Sequence, residues 1–117
     1  MSQQTTLILL PQTVYQNPGN GAPYTVTGNA QPAAAYYLGN RDLQTVNFNL
    51  SNASGNIVIE ATLASDSANA EWFKVYEYVA DSSNVSTYTN IDGNFVYVRA
   101  KIEDFHQGTV NFIKVSY

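Results

Sequence analysis

The chain carries few side chains that could do acid–base or nucleophilic chemistry. It contains one histidine, His106, and no cysteine, so thiol nucleophiles, disulfides and zinc–thiolate sites have no residues to form them. A general base needs a positioned partner, and the nearest carboxylate along the chain is Asp104, within the same predicted loop. Such close spacing usually serves turn geometry. We therefore predict no catalytic residue.

Carboxylates are the next candidates, because pairs of them hydrolyse glycosidic bonds. The glutamates beside predicted strands are Glu60, Glu71, Glu77 and Glu103. Their neighbours suit a solvated strand face, where most carboxylates do no chemistry. The aspartates in Asn/Ser/Gly-rich turns, Asp66, Asp81 and Asp92, have too few oxygen neighbours in sequence for a calcium loop. The sequence predicts no metal site and no bound cofactor.

Aromatic rings are the remaining candidates for ligand binding, and the chain has nine tyrosines and one tryptophan. The rings that could stack on sugars or lie in a subunit interface are Trp72, Tyr76, Tyr78 and Tyr97. Aromatic rings contribute most when they are buried. For Trp72 we therefore prefer core or interface packing over a glycan platform.

The charge balance excludes some partners. The formal net charge is −4, and only 12% of the residues are charged. The five cations are dispersed along the chain: Arg41, Lys74, Arg99, Lys101 and Lys114. Nucleic acids and anionic membranes both require clustered cations, so we predict neither as a partner.

The C-terminal residues 95–117 show the clearest structural pattern. Their first half alternates, with Val96, Val98, Ala100 and Ile102 on one face, and Tyr97 and Arg99 on the other. This period of two predicts a strand whose apolar face enters the core. A loop at residues 103–108 and a second alternating segment follow, which we interpret as a hairpin.

Arg99 lies on the face opposite to this apolar row. A guanidinium there is expected to bond backbone carbonyls or to pair with a carboxylate such as Glu60 or Glu103. We expect the Tyr97 ring to cover its aliphatic stem.

Turn signals every eight to twelve residues divide the chain into seven to nine short strands, with no helical period of useful length. The predicted fold is all-β, an antiparallel β-sandwich of jelly-roll-like or galactose-binding-like type. Residues 17–23 hold two prolines and two glycines, so we assign 1–23 to an N-terminal arm with a Pro/Gly-rich loop, and 24–117 to the sandwich. The first eleven residues lack a basic signal-peptide region, which predicts synthesis in a cytoplasm.

Several segments resemble a family of small β-sandwich virion proteins of tailed bacteriophages, of the marine cyanophage type. They are Gly55-Asn-Ile-Val-Ile-Glu-Ala-Thr-Leu63, Trp72-Phe-Lys-Val75, Gly93-Asn-Phe-Val-Tyr-Val-Arg-Ala-Lys-Ile102 and Gly108-Thr-Val-Asn-Phe-Ile-Lys-Val-Ser-Tyr117, with the shorter Ala34-Ala-Tyr-Tyr-Leu38 and Asp42-Leu-Gln-Thr-Val46. The match covers roughly residues 30–117. The C-terminal segments are also similar to galactose-binding-like (discoidin-type) sandwiches.

The phage resemblance implies a non-enzymatic structural protein of the virion, in capsid decoration or cement, neck or tail. It implies self-assembly, with a trimer favoured, and contact with other virion proteins such as the major capsid protein. The second resemblance implies the alternative, a glycan-binding or host-attachment module that uses Trp72 and exposed tyrosines.

Overall fold

The computed structural model describes residues 6–33, 43–64 and 70–117, and all strands in these ranges are antiparallel. The strands are β1 Thr6–Leu10, β2 Thr13–Val14, β3 Tyr24–Thr27, β4 Gln31–Pro32, β5 Leu43–Thr62, β6 Phe73–Asp92 and β7 Tyr97–Ser116. In this part of the chain, no helix is long and apolar enough to cross a membrane.

The three long strands β5, β6 and β7, of 20 residues each, form the centre of a single sheet. The order is β1-β7-β5-β6, and the short strands β2, β3 and β4 also pair with β7. The short strands lie one after another along the free side of β7, from Thr6 opposite Ser116 to Pro32 opposite Tyr97. β7 is therefore paired on both sides along most of its length.

Each long strand bends near its middle, and the three bends lie at the same level of the sheet. Positive φ angles mark them at Asn52 in β5 (54°), Ser82 in β6 (54°), and Asp104 (57°) and Gly108 (81°) in β7. A Cβ on Gly108 would stand 2.1 Å from the backbone oxygen of Asn52, so the closest approach of β7 to β5 requires glycine there.

Side chains tie the bends together. The Ser54 and Ser82 hydroxyls are 2.9 Å apart, and the Ser82 amide donates to the Ser54 hydroxyl at 3.0 Å. The Asn52 amide donates to Asn84 Oδ1 at 3.0 Å. We call this bent region the corner.

The corner divides the sheet into two layers of four strands. Layer A contains β1 and β2, then residues 109–116, 43–50 and 85–92, in that order across the sheet. Layer B contains β3 and β4, then residues 97–105, 54–62 and 73–81. If β1 and β2 count as one segment, and β3 and β4 as another, the two layers contain eight segments. Numbered along the chain, they have the order 1-8-3-6 in layer A and 2-7-4-5 in layer B, which is the arrangement of a jelly roll. The predicted antiparallel β-sandwich is confirmed.

The inner faces of the two layers share one apolar core. Phe48 of layer A lies 5.1 Å from the Tyr78 ring and 6.2 Å from the Tyr76 ring of layer B, between ring centroids. The core also includes Leu9, Leu10, Ala33, Val46, Leu50, Ala53, Ile57, Ile59, Ala80, Ile91, Val98, Ala100, Ile102, Phe105, Val110, Ile113, Val115 and Tyr117. Of the predicted inward row, Val98, Ala100 and Ile102 are buried. Val96 is only half-buried, because it lies just before the first residue of β7. Its amide donates a hydrogen bond to the Thr62 carbonyl at 2.9 Å.

The predicted C-terminal hairpin is wrong. Residues 103–108 do interrupt the alternation, but the chain does not reverse there; β7 continues through the corner from layer B into layer A. The Asn- and Ser-containing segments at residues 51–56 and 81–84, which also read as turn signals, are corners of the same kind within β5 and β6. A corner and a reversal use the same Asn, Asp and Gly residues, because both need positive φ.

The assignment of residues 1–23 to an arm outside the sandwich is also corrected. β1 and β2 are edge strands of layer A, and Leu9 and Leu10 lie in the core. Tyr15 stacks on Tyr24, with ring centroids 5.4 Å apart, and its hydroxyl donates to the Ala22 carbonyl at 2.7 Å. These contacts fasten both ends of the Pro/Gly-rich loop to the sandwich. Residues 1–5 lie outside the described residues, as do Ala34–Leu38, Arg41, Asp42 and Asp66.

The burial of Val98 predicts a large effect of charge at this position. Val98 is 1% exposed, so Val98→Asp places an unpaired carboxylate in the core, and we expect a loss of about 3–5 kcal/mol of unfolding free energy or failure to fold. The matched control is Val79→Asp, because Val79 is 67% exposed. Thermal unfolding followed by circular dichroism measures both. Equal melting temperatures for the two variants would contradict the inward position of Val98.

Candidate functional site

The outer face of layer B collects most of the described charged side chains. Alternation in β7 directs Tyr97, Arg99, Lys101 and Glu103 outward, because Val98, Ala100 and Ile102 point inward. The register then sets Glu60 of β5 opposite Arg99, and Lys74 of β6 opposite Glu60. Oppositely charged side chains are therefore neighbours across three strands.

Glu60 is the centre of this charged face. Its Oε1 accepts a hydrogen bond from Arg99 Nε at 2.8 Å, and its Oε2 lies 3.3 Å from Lys101 Nζ. Lys101 also contacts Glu103 Oε2 at 3.2 Å. Only 12% of the Glu60 side chain is exposed. We call these four residues the ion-pair network; it contains the pair predicted between Arg99 and Glu60.

Within the network, the pKa values of Glu60 and Lys101 are both shifted in the direction that favours the charged form. Burial alone would raise the pKa of Glu60, but the hydrogen bond from Arg99 and the charges of Arg99 and Lys101 outweigh it and lower the pKa. Burial likewise would lower the pKa of Lys101, yet its bonds to Glu103 and Glu60 raise it. A glycosidase general acid needs the opposite shift, a raised carboxyl pKa. Glu60 is thus an ionised structural partner at neutral pH.

Trp72 covers the network from the edge of the layer. The Arg99 guanidinium carbon lies 4.3 Å from the centroid of the indole ring, a cation–π geometry. The indole ring of Trp72, which the sequence did not indicate as a partner of Arg99, therefore covers its guanidinium. Next to the network, Val58 is only 3% exposed although it faces outward, between Lys101 and Glu77. The long charged side chains shield it from water.

The four aromatic residues predicted as a glycan or interface set do not form one surface. Tyr97 and Trp72 belong to the outer side of layer B, whereas Tyr76 and Tyr78 contact Phe48 in the core. The reason is a bulge: Ile59 pairs with Tyr76 but Glu60 pairs with Lys74, so Val75 is the extra residue. This shift directs both tyrosines inward and leaves Val79 exposed.

A shallow cavity lies at the end of layer B, close in sequence to Trp72. Its volume is about 270 Å³, and its lining residues are Thr62, Leu63, Ala64, Glu71 and Phe73. Leu63 is 62% exposed and Phe73 is 39% exposed. Leu63 and Phe73 therefore give the cavity a partly apolar lining.

The outer face of layer A is chemically different, and the sequence reasoning missed it. Amides and hydroxyls bond across its strands: Asn111 Nδ2 donates to Asn49 Oδ1 at 2.7 Å, and Thr45 Oγ1 donates to Asn90 Oδ1 at 2.6 Å. Its described charges are Lys114, whose amine lies 4.3 Å from the Phe112 ring centroid, and Asp92 at one end. The signal in the sequence was the alternation of Asn47 and Asn49 with buried Val46, Phe48 and Leu50.

The other candidates from the sequence show no shared site. His106 Nδ1 lies 2.7 Å from the Asp104 carbonyl oxygen, within the corner, which is a turn contact. Glu77 pairs with Lys74 at 3.3 Å on the surface. Within residues 6–33, 43–64 and 70–117, no cluster of three or more His, Asp or Glu side chains could hold a metal ion.

Comparison with known proteins identifies the fold. No protein-family model and no curated protein matches the sequence. The structure is similar to the crystal structure of the SPBc2 prophage-derived protein YomS, with a TM-score of 0.60 and 12% identity over 97% of this chain and 91% of that one. At this identity the similarity establishes the fold alone.

Two further structures are less similar. The family 29 carbohydrate-binding module CBM29_1 from Piromyces equi matches with a TM-score of 0.48 and 10% identity, over 97% of this chain and 91% of the module. A chain of infectious bursal disease virus, Gx strain, matches with a TM-score of 0.47 and 10% identity, over 98% of this chain but 32% of the viral one. Scores this low support no inference about function.

The ion-pair network predicts a defined pH dependence of stability. The lowered pKa of Glu60 stabilises the fold above its ordinary value of 4.5, and this contribution is lost as the pH falls through the folded pKa. The raised pKa of Lys101 stabilises the fold below 10.5, and this contribution is lost as the pH rises through its folded pKa. We expect Glu60→Gln to cost about 1–3 kcal/mol at pH 7, and the difference from wild type to shrink below pH 4.5 as wild-type Glu60 becomes protonated.

The matched control is Glu77→Gln. Its partner Lys74 and Glu77 itself have exposed side chains, 55% and 37%, so we expect a loss below about 0.5 kcal/mol. Urea unfolding at pH 3, 5, 7 and 9 measures both variants. A Glu60→Gln difference that is constant over this range would contradict the assignment.

Proposed function

We propose that this chain is a non-enzymatic structural protein of a tailed bacteriophage virion, which decorates or cements the capsid or forms part of the neck or tail. The observation that carries the proposal is the nearly end-to-end similarity of its fold to a prophage-derived protein, YomS. The sequence resemblance to small phage virion proteins points the same way. Its partners are further copies of itself and other virion proteins such as the major capsid protein.

The surface supports such a role. Large apolar side chains remain exposed around the sandwich: Ile8, Val14, Leu43, Leu63, Phe73, Val79 and Tyr88. Leu63 and Phe73 line the same cavity, and adjacent exposed apolar side chains of this kind mark a contact surface better than single ones do. The one densely charged face is occupied by internal ion pairs, with Glu60 held by Arg99 and Lys101. An ionised carboxylate with both oxygens paired suits a structural role better than proton transfer.

Purified particles test the proposal. In a phage or induced prophage that carries the gene, we expect mass spectrometry to detect the protein in gradient-purified virions, in a fixed ratio to the major capsid protein. Deletion of the gene should remove this component and make the particles more sensitive to heat or osmotic shock. Complementation with the wild-type gene should restore both, and Val98→Asp, which disrupts the core, should restore neither. Recovery of the protein only in the soluble lysate, away from particles, would contradict a virion role.

The second candidate is a glycan-binding or host-attachment module. The observation that favours it is the half-buried Trp72 ring on the outer side of layer B, beside Arg99 and Tyr97. An indole ring with neighbouring hydrogen-bonding groups is suited to stack on a sugar. The opening at Leu63 and Phe73 lies at the same end of the layer.

A glycan array with purified protein tests this candidate. A bound glycan should lose roughly tenfold in affinity with Trp72→Ala, because ring stacking contributes about 0.5–1.5 kcal/mol beyond the area that it buries. Val79→Ala is the control, since Val79 is an exposed apolar residue of layer B outside the proposed site. No binding at high micromolar protein, or an equal loss in both variants, would contradict a site at Trp72.

A further inference from the structure

The open edges of the sheet differ in how they are protected. Sheet edges offer unpaired backbone N–H and C=O groups, and proteins commonly block them with short strands, bulges, proline or charge. On the β7 side, β1 has a bulge between Ile8 and Leu10, and β3 has one between Tyr24 and Val26. The other two edge strands, β2 and β4, are two residues long, and β4 includes Pro32. Each of these edge segments is therefore poorly suited to pair with another strand.

β6 forms the opposite edge of both layers, and its two halves differ. Residues 73–81 in layer B contain the bulge at Val75 and carry Lys74 and Glu77. Residues 85–92 in layer A pair with residues 43–50 in an uninterrupted register. Up to the final Asp92, this segment has no charge, proline or glycine. Among the edges in the described ranges, it is the one without a protective feature.

The sequence of this unprotected edge is nearly symmetric in side-chain type about its central residue. Residues 85–91 read Val-Ser-Thr-Tyr-Thr-Asn-Ile, with Tyr88 at the centre. If a second copy pairs antiparallel about Tyr88, Thr87 meets Thr89, Ser86 meets Asn90, and Val85 meets Ile91. The inward side chains, Val85, Thr87, Thr89 and Ile91, meet inward ones, and the exposed Ser86, Tyr88 and Asn90 meet exposed ones. Self-complementarity of this kind is what a two-fold interface requires.

Charge is compatible with the same register. The Asp92 carboxylate falls opposite the neutral Asn84 of the second copy, so no like charges face each other across the new strand pair. The Tyr88 side chain, which is 66% exposed, would lie beside its symmetry mate on the outer face of layer A. Directly opposed aromatic pairs stabilise antiparallel strands.

We propose that two copies of this chain pair antiparallel through residues 85–91, with Tyr88 on the two-fold axis. The pairing joins two copies of layer A into one eight-stranded sheet and covers the open edge of each. This interface gives a dimer, in place of the trimer implied by the phage resemblance. It does not depend on the proposed virion role, because self-pairing is a property of the purified chain.

Charge reversal at the axis provides a specific test. A residue on a two-fold axis faces itself, so Tyr88→Lys and Tyr88→Glu should each weaken the homodimer at least about tenfold through like-charge repulsion. An equimolar mixture of the two variants should regain dimerisation, because lysine then faces glutamate. Analytical ultracentrifugation from 1 to 500 μM measures all three samples beside the wild type. Thermal unfolding checks that both variants are folded, which the exposure of Tyr88 favours.

A cross-link measures the axis directly, because the natural chain has no cysteine. Opposed residues in antiparallel strands have Cα atoms about 4.5–5.5 Å apart, within the disulfide range of about 4.4–6.8 Å. Tyr88→Cys should therefore form a covalent dimer under mild oxidant at low micromolar protein. Val79→Cys is the matched control, equally exposed on the other half of β6, and should cross-link at least about tenfold more slowly.

Three results would overturn the proposal. They are a wild-type chain that stays monomeric at 500 μM, an oligomer that neither charge variant weakens, and cross-linking rates that are equal at positions 88 and 79. Loss of assembly in both charge variants without recovery in the mixture would also count against it, because that pattern places Tyr88 away from the axis.

Discussion

The fold depends on three neighbouring strands that bend at one level. An apolar sheet face must be covered, and this chain covers it by folding a single sheet onto itself at the corner. The bend has a local conformational cost, because Asn52, Ser82 and Asp104 take positive φ angles that side chains disfavour. The hydrogen bonds among Ser54, Ser82, Asn52 and Asn84 offset part of that cost. The two layers then present outer faces with very different chemistry.

The two outer faces differ in how far their polar groups are paired within the molecule. Layer B neutralises its charges internally, and the Glu60 carboxylate is held by two cations while Trp72 covers Arg99. Its side chains therefore meet much of their bonding capacity within the molecule. Layer A presents amides and hydroxyls and ends in the unprotected edge of β6. A protein that assembles with neighbours gains from this division, because one face stabilises the subunit and the other remains open for contact.

The alternation of apolar and polar residues predicted the strands. It could not predict features that depend on contacts between residues far apart in the sequence. The alternation through Val98, Ala100 and Ile102 identified buried positions, and the number of short segments agreed with the eight found in the two layers. The sequence could not separate a corner from a hairpin, because Asp104 and Gly108 suit both and the difference lies in the strands that pair with β7. The sequence also could not show that Tyr76 and Tyr78 point inward. Their direction depends on the bulge at Val75, which exists only in the pairing of β6 with β5. The sequence limited the expected partners of Arg99 to backbone carbonyls, Glu60 and Glu103, and the register between β5 and β7 selects Glu60. The indole ring over Arg99 was not predicted.

The position of β7 between β5 and the N-terminal strands has a consequence for how the protein folds. Thr6 pairs with Ser116, and the two hydroxyls bond at 2.9 Å across almost the whole described length of the chain. Contacts between residues so far apart in sequence slow folding, because the loop between them must be ordered first. During synthesis β1 has no partner until residues 109–116 leave the ribosome. Leu9 and Leu10 therefore stay without their β7 partners while the intervening strands are made, and residues 109–116 then complete layer A between β1 and residues 43–50.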